Sequence, residues 1–278
     1  MSTLVHISDL HFGAEEPGLP EALRQAVAAE KADLLVASGD FSQHGTRREL
    51  REARAFLDSL PSPRLVVPGN HDIPHGLRLW ARFAHPFADY RAEISPETEP
   101  VWQTEALLVA GVNSVRPGGW YLDWSRGDVA LRQMARLARL FAAAPEGALR
   151  VMVAHHPTAA PPGGTHRHLL EHSRHFFREL GRLPVDLILS GHFHQSYVVP
   201  VRLPPSEGRP RRSVVLSVAS TAISFRRQGE PNGYHVIEAA PDRIVVRART
   251  WDGETFAPSR GWTFLRDAEG QWIEAGAE

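Results

Sequence analysis

The 278-residue chain has no cysteine. Disulfides and thiolate metal sites are therefore excluded, and any metal must sit on nitrogen and oxygen ligands. Lysine is almost missing too: Lys31 is the only one, and the other basic residues are arginine. Neither sign of charge is in surplus, since 31 Lys and Arg against 32 Asp and Glu leave a formal net charge of -1. Proteins that live on a nucleic-acid backbone carry a net basic footprint, so this balance argues against a nucleic-acid polymer as partner. No run approaches the ~20 apolar residues of a membrane span. The opening MSTLVHISDL lacks the basic segment and long apolar stretch of a signal peptide. No membrane association is expected, and the cytoplasm is the expected compartment.

With 42% hydrophobic and 23% charged residues, the chain can bury one large core. A single domain over 1–278 is expected, since no linker composition or repeat divides it. Leu4 to Ser8 reads as an apolar strand, followed by Asp9-Leu10-His11. Pro20 opens a helix with Leu23 and Val27 on one face. Ala32 to Ser38 is a second strand ending at Gly39-Asp40, and Thr46 with Glu49 forms a capping box ahead of a second helix. Arg64 to Pro68 is a third strand, delivering Gly69-Asn70-His71-Asp72. Further strands are expected over 107–113, 150–154 and 185–190, with helices over 128–144, capped by Asp128, and over 168–180. Segments 73–100 and 158–180 read as excursions beside the site. After 194 the texture changes to short β runs, and alternation in Ile244, Val246 and Ala248 suggests a half-buried second sheet.

The polar groups at the strand ends carry the chemistry. They are Asp9-x-His11, Gly39-Asp40, Asn70-His71-Asp72, His155-His156-Pro157 and Gly191-His192-x-His194. In open α/β sheets the C-terminal strand edge is where ligands bind. An extended backbone puts the two imidazoles of His192-x-His194 on one side. Imidazole and carboxylate groups converging on one edge can hold two divalent metals. Such ions, ~3.5–4 Å apart, need a bridging anion, and Asp40 is the natural candidate.

In this order the motifs resemble the calcineurin-like metallophosphoesterase family, and within it the bacterial cyclic-nucleotide and glycerophosphodiester phosphodiesterase branch. The resemblance runs from residue 9 to residue 194. It implies an α/β fold, a four-layer αββα sandwich with two mixed sheets, holding two metal ions. It assigns Asp9, His11, Asp40 and His194 to one ion, and Asp40, Asn70, His155 and His192 to the other. His71 matches a non-ligand histidine facing the phosphoryl group, and Asp72 the acid that orients it. The implied reaction is attack on phosphorus by hydroxide prepared between the ions, with His71 as acid or phosphoryl-stabilising group. Ligation by nitrogen and oxygen suits Mn, Fe or Zn. A small phosphoester is the implied substrate, a diester first, cyclic nucleotides included. A phosphomonoesterase or protein phosphatase is the main alternative; a nuclease and a non-catalytic binding module are the others.

Other residues invite weaker readings. His44, in the loop before Gly45, and Arg116 are candidate substrate contacts. His156 reads as lining or structural. His166, His168, His172 and His175 suggest a third metal site, against which a surface histidine stretch is preferred. Trp120, Tyr121 and Trp124 read as packing before stacking, and Arg209, Arg211 and Arg212 as a solvated hairpin tip.

Overall fold

A computed structural model describes residues 1–61, 63–75, 78–118, 125–163, 169–170, 174–205 and 212–277. The first half alternates strands and helices. The order is β1 (Ser2–Ile7), α1 (Leu19–Ala29), β2 (Leu34–Ala37), α2 (Arg47–Ser59) and β3 (Arg64–Val66). Two short helices follow, α3 (Leu79–Ala84) and α4 (Ala88–Glu93). Next come β4 (Val101–Gln103), β5 (Leu107–Gly111), α5 (Leu131–Ala142), β6 (Leu149–Val153), α6 (Arg174–Arg182) and β7 (Leu187–Ser190). The remainder is β8 (Tyr197–Leu203), β9 (Arg212–Val218), β10 (Gly233–Ala240), β11 (Arg243–Trp251), β12 (Phe256–Arg266) and β13 (Trp272–Ala277).

The strands form two sheets, in the orders β13-β12-β11-β10-β1-β2-β3 and β4-β5-β6-β7-β9-β8. Within them β1-β2-β3 and β5-β6-β7-β9 run parallel, while every other neighbouring pair is antiparallel. Side-chain alternation explains the layering. In β2, Leu34 and Val36 enter the core between the sheets, while Leu35 and Ala37 pack under α1 and α2. In β6, Val151 and Val153 face the same inter-sheet core, and Met152 meets α5 and α6. Strands buried on both faces must be apolar throughout, which is how these segments read. The result is the expected αββα sandwich. Both sheets line the central core, so neither buries its inner face without the other.

Helix α2 begins with the expected capping box, Thr46 accepting from Glu49 N–H. The cap expected at Asp128 is absent. Helix α5 starts at Leu131 behind Ala130, whose N–H donates to the Gln133 side chain at 2.7 Å. Asp128 instead forms an ion pair with Arg116, and Leu131, the first residue of α5, is 63% exposed. The helix expected over 168–180 is observed as Arg174–Arg182. Among the described residues no helix is long and apolar enough to cross a membrane.

Candidate metal centre

The parallel strands deliver their C-terminal ends to one edge. Asp9 and His11 follow β1, Asp40 follows β2, Asn70 and His71 follow β3, His155 follows β6, and His192 and His194 follow β7. The chain turns sharply there. Positive φ is adopted at Asp9 (54°), His11 (48°), Asp40 (53°), His192 (75°) and His194 (53°); the other described non-glycine case is Lys31. Each costs on the order of 1–3 kcal/mol and persists only where surroundings enforce it. Such concentration on prospective ligands ties the strain to the site. Two glycines allow the close approach. A Cβ at Gly69 would overlap Asp40 N and Oδ1, and one at Gly191 would overlap Ser8 Oγ and Asp9 Oδ2.

Asp9, His11, Asp40 and His194 come together, each offering a ligand atom within 4.8 Å of the others. His11 Nε2 lies 3.0 Å from His194 Nε2, and His194 Nε2 lies 3.3 Å from Asp9 Oδ1. A second cluster adjoins it. His155 Nε2 lies 3.1 Å from Asn70 Oδ1 and 3.3 Å from Asp40 Oδ2, the same oxygen that lies 3.6 Å from His11 Nε2. The His192 ring stands 5.1 Å from that of His155. All are buried or nearly so except the partly exposed His192.

The hydrogen bonds behind these rings decide what the front atoms can do. His155 Nδ1 donates to Ser38 O at 2.8 Å, and His194 Nδ1 donates to Arg226 O at 2.6 Å. Their bare Nε2 atoms are thereby directed at carboxylate or amide oxygens, Asp9 for His194 and Asp40 and Asn70 for His155. Acceptors facing acceptors at ~3 Å need a cation between them, whether a proton or a metal ion. Electrostatics agree. Burial works against protonation of His155, yet Asp40 and Asp9 outweigh it and hold its pKa up at about 9. Burial would raise Asp9, but His194 overrides it and leaves it at about 2. The donor set is entirely nitrogen and oxygen, so these residues fit a divalent metal ion.

His71 stands beside the clusters. Its N–H donates to Asp40 Oδ1 at 2.8 Å and its Nδ1 donates to Gln43 O at 2.7 Å, leaving Nε2 toward the cavity. Burial is the main force holding its pKa down. The ring is therefore held by a carbonyl rather than by Asp72, the acid expected to orient it. The Asp72 carboxylate points into the turn, accepting from Gly69 N at 2.8 Å and Ser42 N at 2.9 Å. Its burial and the nearby Asp40 charge raise its pKa to about 7.

Other candidates lie elsewhere. His44 bonds Glu49 at 2.9 Å with its side chain 64% exposed, and does not line the cavity in front of the clusters. Arg116 pairs with Asp128 and lines a different cavity, with Arg132 and Arg136. His156 is fully buried, with its ring 4.6 Å from that of His192 and Nδ1 2.8 Å from Ser114 Oγ. It joins His155 and His192 in a second group able to hold an ion. Arg212, expected at a solvated tip, donates to Leu183 O at 2.6 Å. Trp120, Tyr121, Trp124, His166, His168, His172, Arg209, Arg211 and the side chain of His175 lie outside the described residues.

Sequence reasoning missed Arg226. It lines the cavity with Asp40, Asn70, His71, His192 and His194. A hint existed: Ser220-Thr221 and Ser224 make a polar end to strand β9, as at the other site strands.

Five strand ends converging on two groups of nitrogen and oxygen donors, on an αββα sandwich, define a metal-dependent phosphoric ester hydrolase. The chain belongs to the calcineurin-like phosphoesterase family, whose model matches residues 2–196. It is similar to a probable cyclic nucleotide phosphodiesterase of Synechococcus, 26% identical over 263 residues, covering 86% of this chain and 88% of the relative. It is also 27% identical over 195 residues to the 3',5'-cyclic adenosine monophosphate phosphodiesterase of Escherichia coli, covering 70% of this chain and 62% of that one. Among solved structures, a purple acid phosphatase from yellow lupin superposes with a TM-score of 0.66 at 10% identity, over 97% of this chain and 54% of that one. That likeness concerns the fold. The bacterial phosphodiesterase branch resembled by the motifs is the one these relatives represent.

Proposed function

We propose that this protein hydrolyses small phosphodiesters, cyclic nucleotides among them, in the cytoplasm, with two metal ions held by Asp9, His11, Asp40 and His194 and by Asp40, Asn70, His155 and His192. The observation that carries the reading is Asp40 Oδ2, which faces His11 Nε2 at 3.6 Å and His155 Nε2 at 3.3 Å and so belongs to both clusters. When bound, two such ions supply a water activated near neutral pH and positive charge for the phosphoryl oxygens.

The chain's own residues do the rest. His71, anchored through Nδ1 to Gln43 O, turns Nε2 to the cavity and, when protonated, donates to the leaving oxygen. The hydrogen bond from His71 N–H to Asp40 links that position to the carboxylate shared by the two clusters. The cavity holds about 390 Å³, within the ~300–1,000 Å³ range of small-molecule sites. Phe193, Gln195 and Gln228 line it, an aromatic face and two amides suited to a base or aryl group. Asp40, Asn70, His192 and His194 line the same cavity, so a diester entering it meets the clusters directly.

The test compares bis(p-nitrophenyl) phosphate with p-nitrophenyl phosphate in Mn²⁺, then cyclic nucleotides and glycerophosphodiesters. Higher kcat/KM for diesters is expected. A strong preference for the monoester overturns the reading in favour of a phosphatase.

A further inference from the structure

Arg226 and Arg227 are neighbours with different roles. The Arg227 guanidinium is tied up in an ion pair with Glu16 and a hydrogen bond to Asn232 at 3.2 Å. Arg226 has no carboxylate within ion-pairing distance among the described residues. Its Nη1 lies 3.0 Å from His71 Nε2, 3.4 Å from Gln43 Oε1 and 3.4 Å from His11 Nδ1. Its contacts are thus two imidazoles and an amide. A guanidinium is always charged and offers a planar fork of donors matched to phosphate oxygens. Here that fork meets no carboxylate among the described residues, and Arg226 lines the cavity in front of the two clusters.

The position is held firmly. Thr221 Oγ1 donates to Asp9 O at 2.5 Å and lies 2.7 Å from Ser224 Oγ. Ser224 Oγ accepts from Arg226 N–H at 3.3 Å, and Asn232 Nδ2 donates to Ser224 O at 2.8 Å. Arg226 O accepts from His194 Nδ1. The backbone that carries the guanidinium is therefore fastened to residues of the first cluster, so little ordering is needed when a ligand arrives. Metal ions in the clusters and the guanidinium would repel one another. An anion lying between them relieves both.

Taking the phosphodiesterase reading as its basis, we propose that Arg226 clamps the phosphoryl group. In the free protein its Nη1 donates to His71 Nε2. With a diester bound, the guanidinium donates to a non-bridging phosphoryl oxygen and releases Nε2 to face the leaving-group oxygen. Arg226 is the one arginine or lysine among the described residues that line this cavity. A single guanidinium suits the single negative charge of a diester, whereas a monoester dianion has a further charge for it to meet.

The experiment uses Arg226→Ala and Arg226→Met in the full chain, the second keeping an unbranched apolar stem. Both are measured with bis(p-nitrophenyl) phosphate and with inorganic phosphate as inhibitor. Loss of a charge-assisted bond should raise KM and the phosphate inhibition constant about ten- to a hundredfold. Metal per chain should match the wild type, and added guanidinium should restore rate to Arg226→Ala and not to the wild type. Values within twofold of the wild type in either variant overturn the proposal. So does loss of bound metal, which would make the residue a support for His194 alone. Wild-type protein that hydrolyses no ester after metal addition refutes the phosphodiesterase reading instead, a result distinct from active wild type with unaltered variants.

Discussion

The Nε2 atoms of His11 and His194 lie 3.0 Å apart, and the Nδ1 proton of His194 is already committed to Arg226 O. Two imidazole nitrogens at that distance need a shared proton or a metal between them. Removing metal with a chelator should therefore lower the melting temperature, and adding back Mn²⁺, Fe²⁺ or Zn²⁺ should raise it. At a hundredfold excess over Kd the linkage is worth about 2.7 kcal/mol. His194→Ala should shrink that response. Scanning calorimetry reads it, and a melting temperature indifferent to all three metals would count against the centre.

Asp40 Oδ2 serves both clusters at once. Asp40→Asn keeps the shape and removes the charge, so both metal content and rate should fall. Elemental analysis that still finds two ions per chain would show that another group bridges them.

His71 hydrogen-bonds the clusters through its backbone N–H, and its ring packs edge-on 4.9 Å from that of His11 without a bond to it. His71→Ala should keep the metals and lose about 10²–10⁴ in kcat, the usual worth of a positioned proton donor. An unchanged kcat removes the role.

Asp72 staples the turn that presents Asn70 and His71, accepting from two buried N–H groups. Asp72→Ala leaves both without that acceptor. Destabilisation on the order of 3 kcal/mol is expected, at roughly 1–3 kcal/mol for each orphaned donor. Urea denaturation measures it; a change below about 0.5 kcal/mol would show the turn standing without its carboxylate.

His235 gives the stability of the fold its own pH dependence. It is buried between Ser196 Oγ at 2.7 Å and Ser217 Oγ at 2.8 Å, and burial pushes its pKa down to about 3. His6, whose ring packs edge-on 6.3 Å away, is likewise held at about 3, first by burial and then by His235. Unfolded, each takes up a proton near pH ~6.5, which the folded form refuses until near 3. Stability from these groups is therefore fully present above about pH 6.5 and declines as pH falls toward 3. His235→Asn should make the slope of unfolding free energy against pH shallower by up to ~1.36 kcal/mol per unit between about pH 4 and 6. An unchanged slope would mean the ring already carries its proton when folded.

Much of the sandwich was legible because its central strands are buried on both faces. Val66, Val153 and Leu189 end in apolar runs that stop at Gly, Asn, His or Asp, and that contrast survives in one dimension. The edges were harder to read. Strand β13 pairs with β12 across a register shift at Thr263/Phe264, and β4 is three residues long. Strand β4 is too short to show alternation, and in β13 Glu274-Ala275-Gly276-Ala277 offers no alternating apolar side chains. Asp128 was misread because a carboxylate three residues ahead of an apolar stripe resembles a helix cap, while its partner Arg116 is distant in sequence.

By itself the sequence determined the donor chemistry: no sulfur, and imidazoles and carboxylates placed just past apolar strands. The tertiary structure decided which of those donors meet, that one oxygen of Asp40 faces both groups, and that Arg226 stands over His71 in place of Arg116. The physical reason is that spacing along a strand fixes only which side a residue takes. Convergence of separate strand ends depends on parallel order within each sheet and on how the two sheets pack, which no local pattern records.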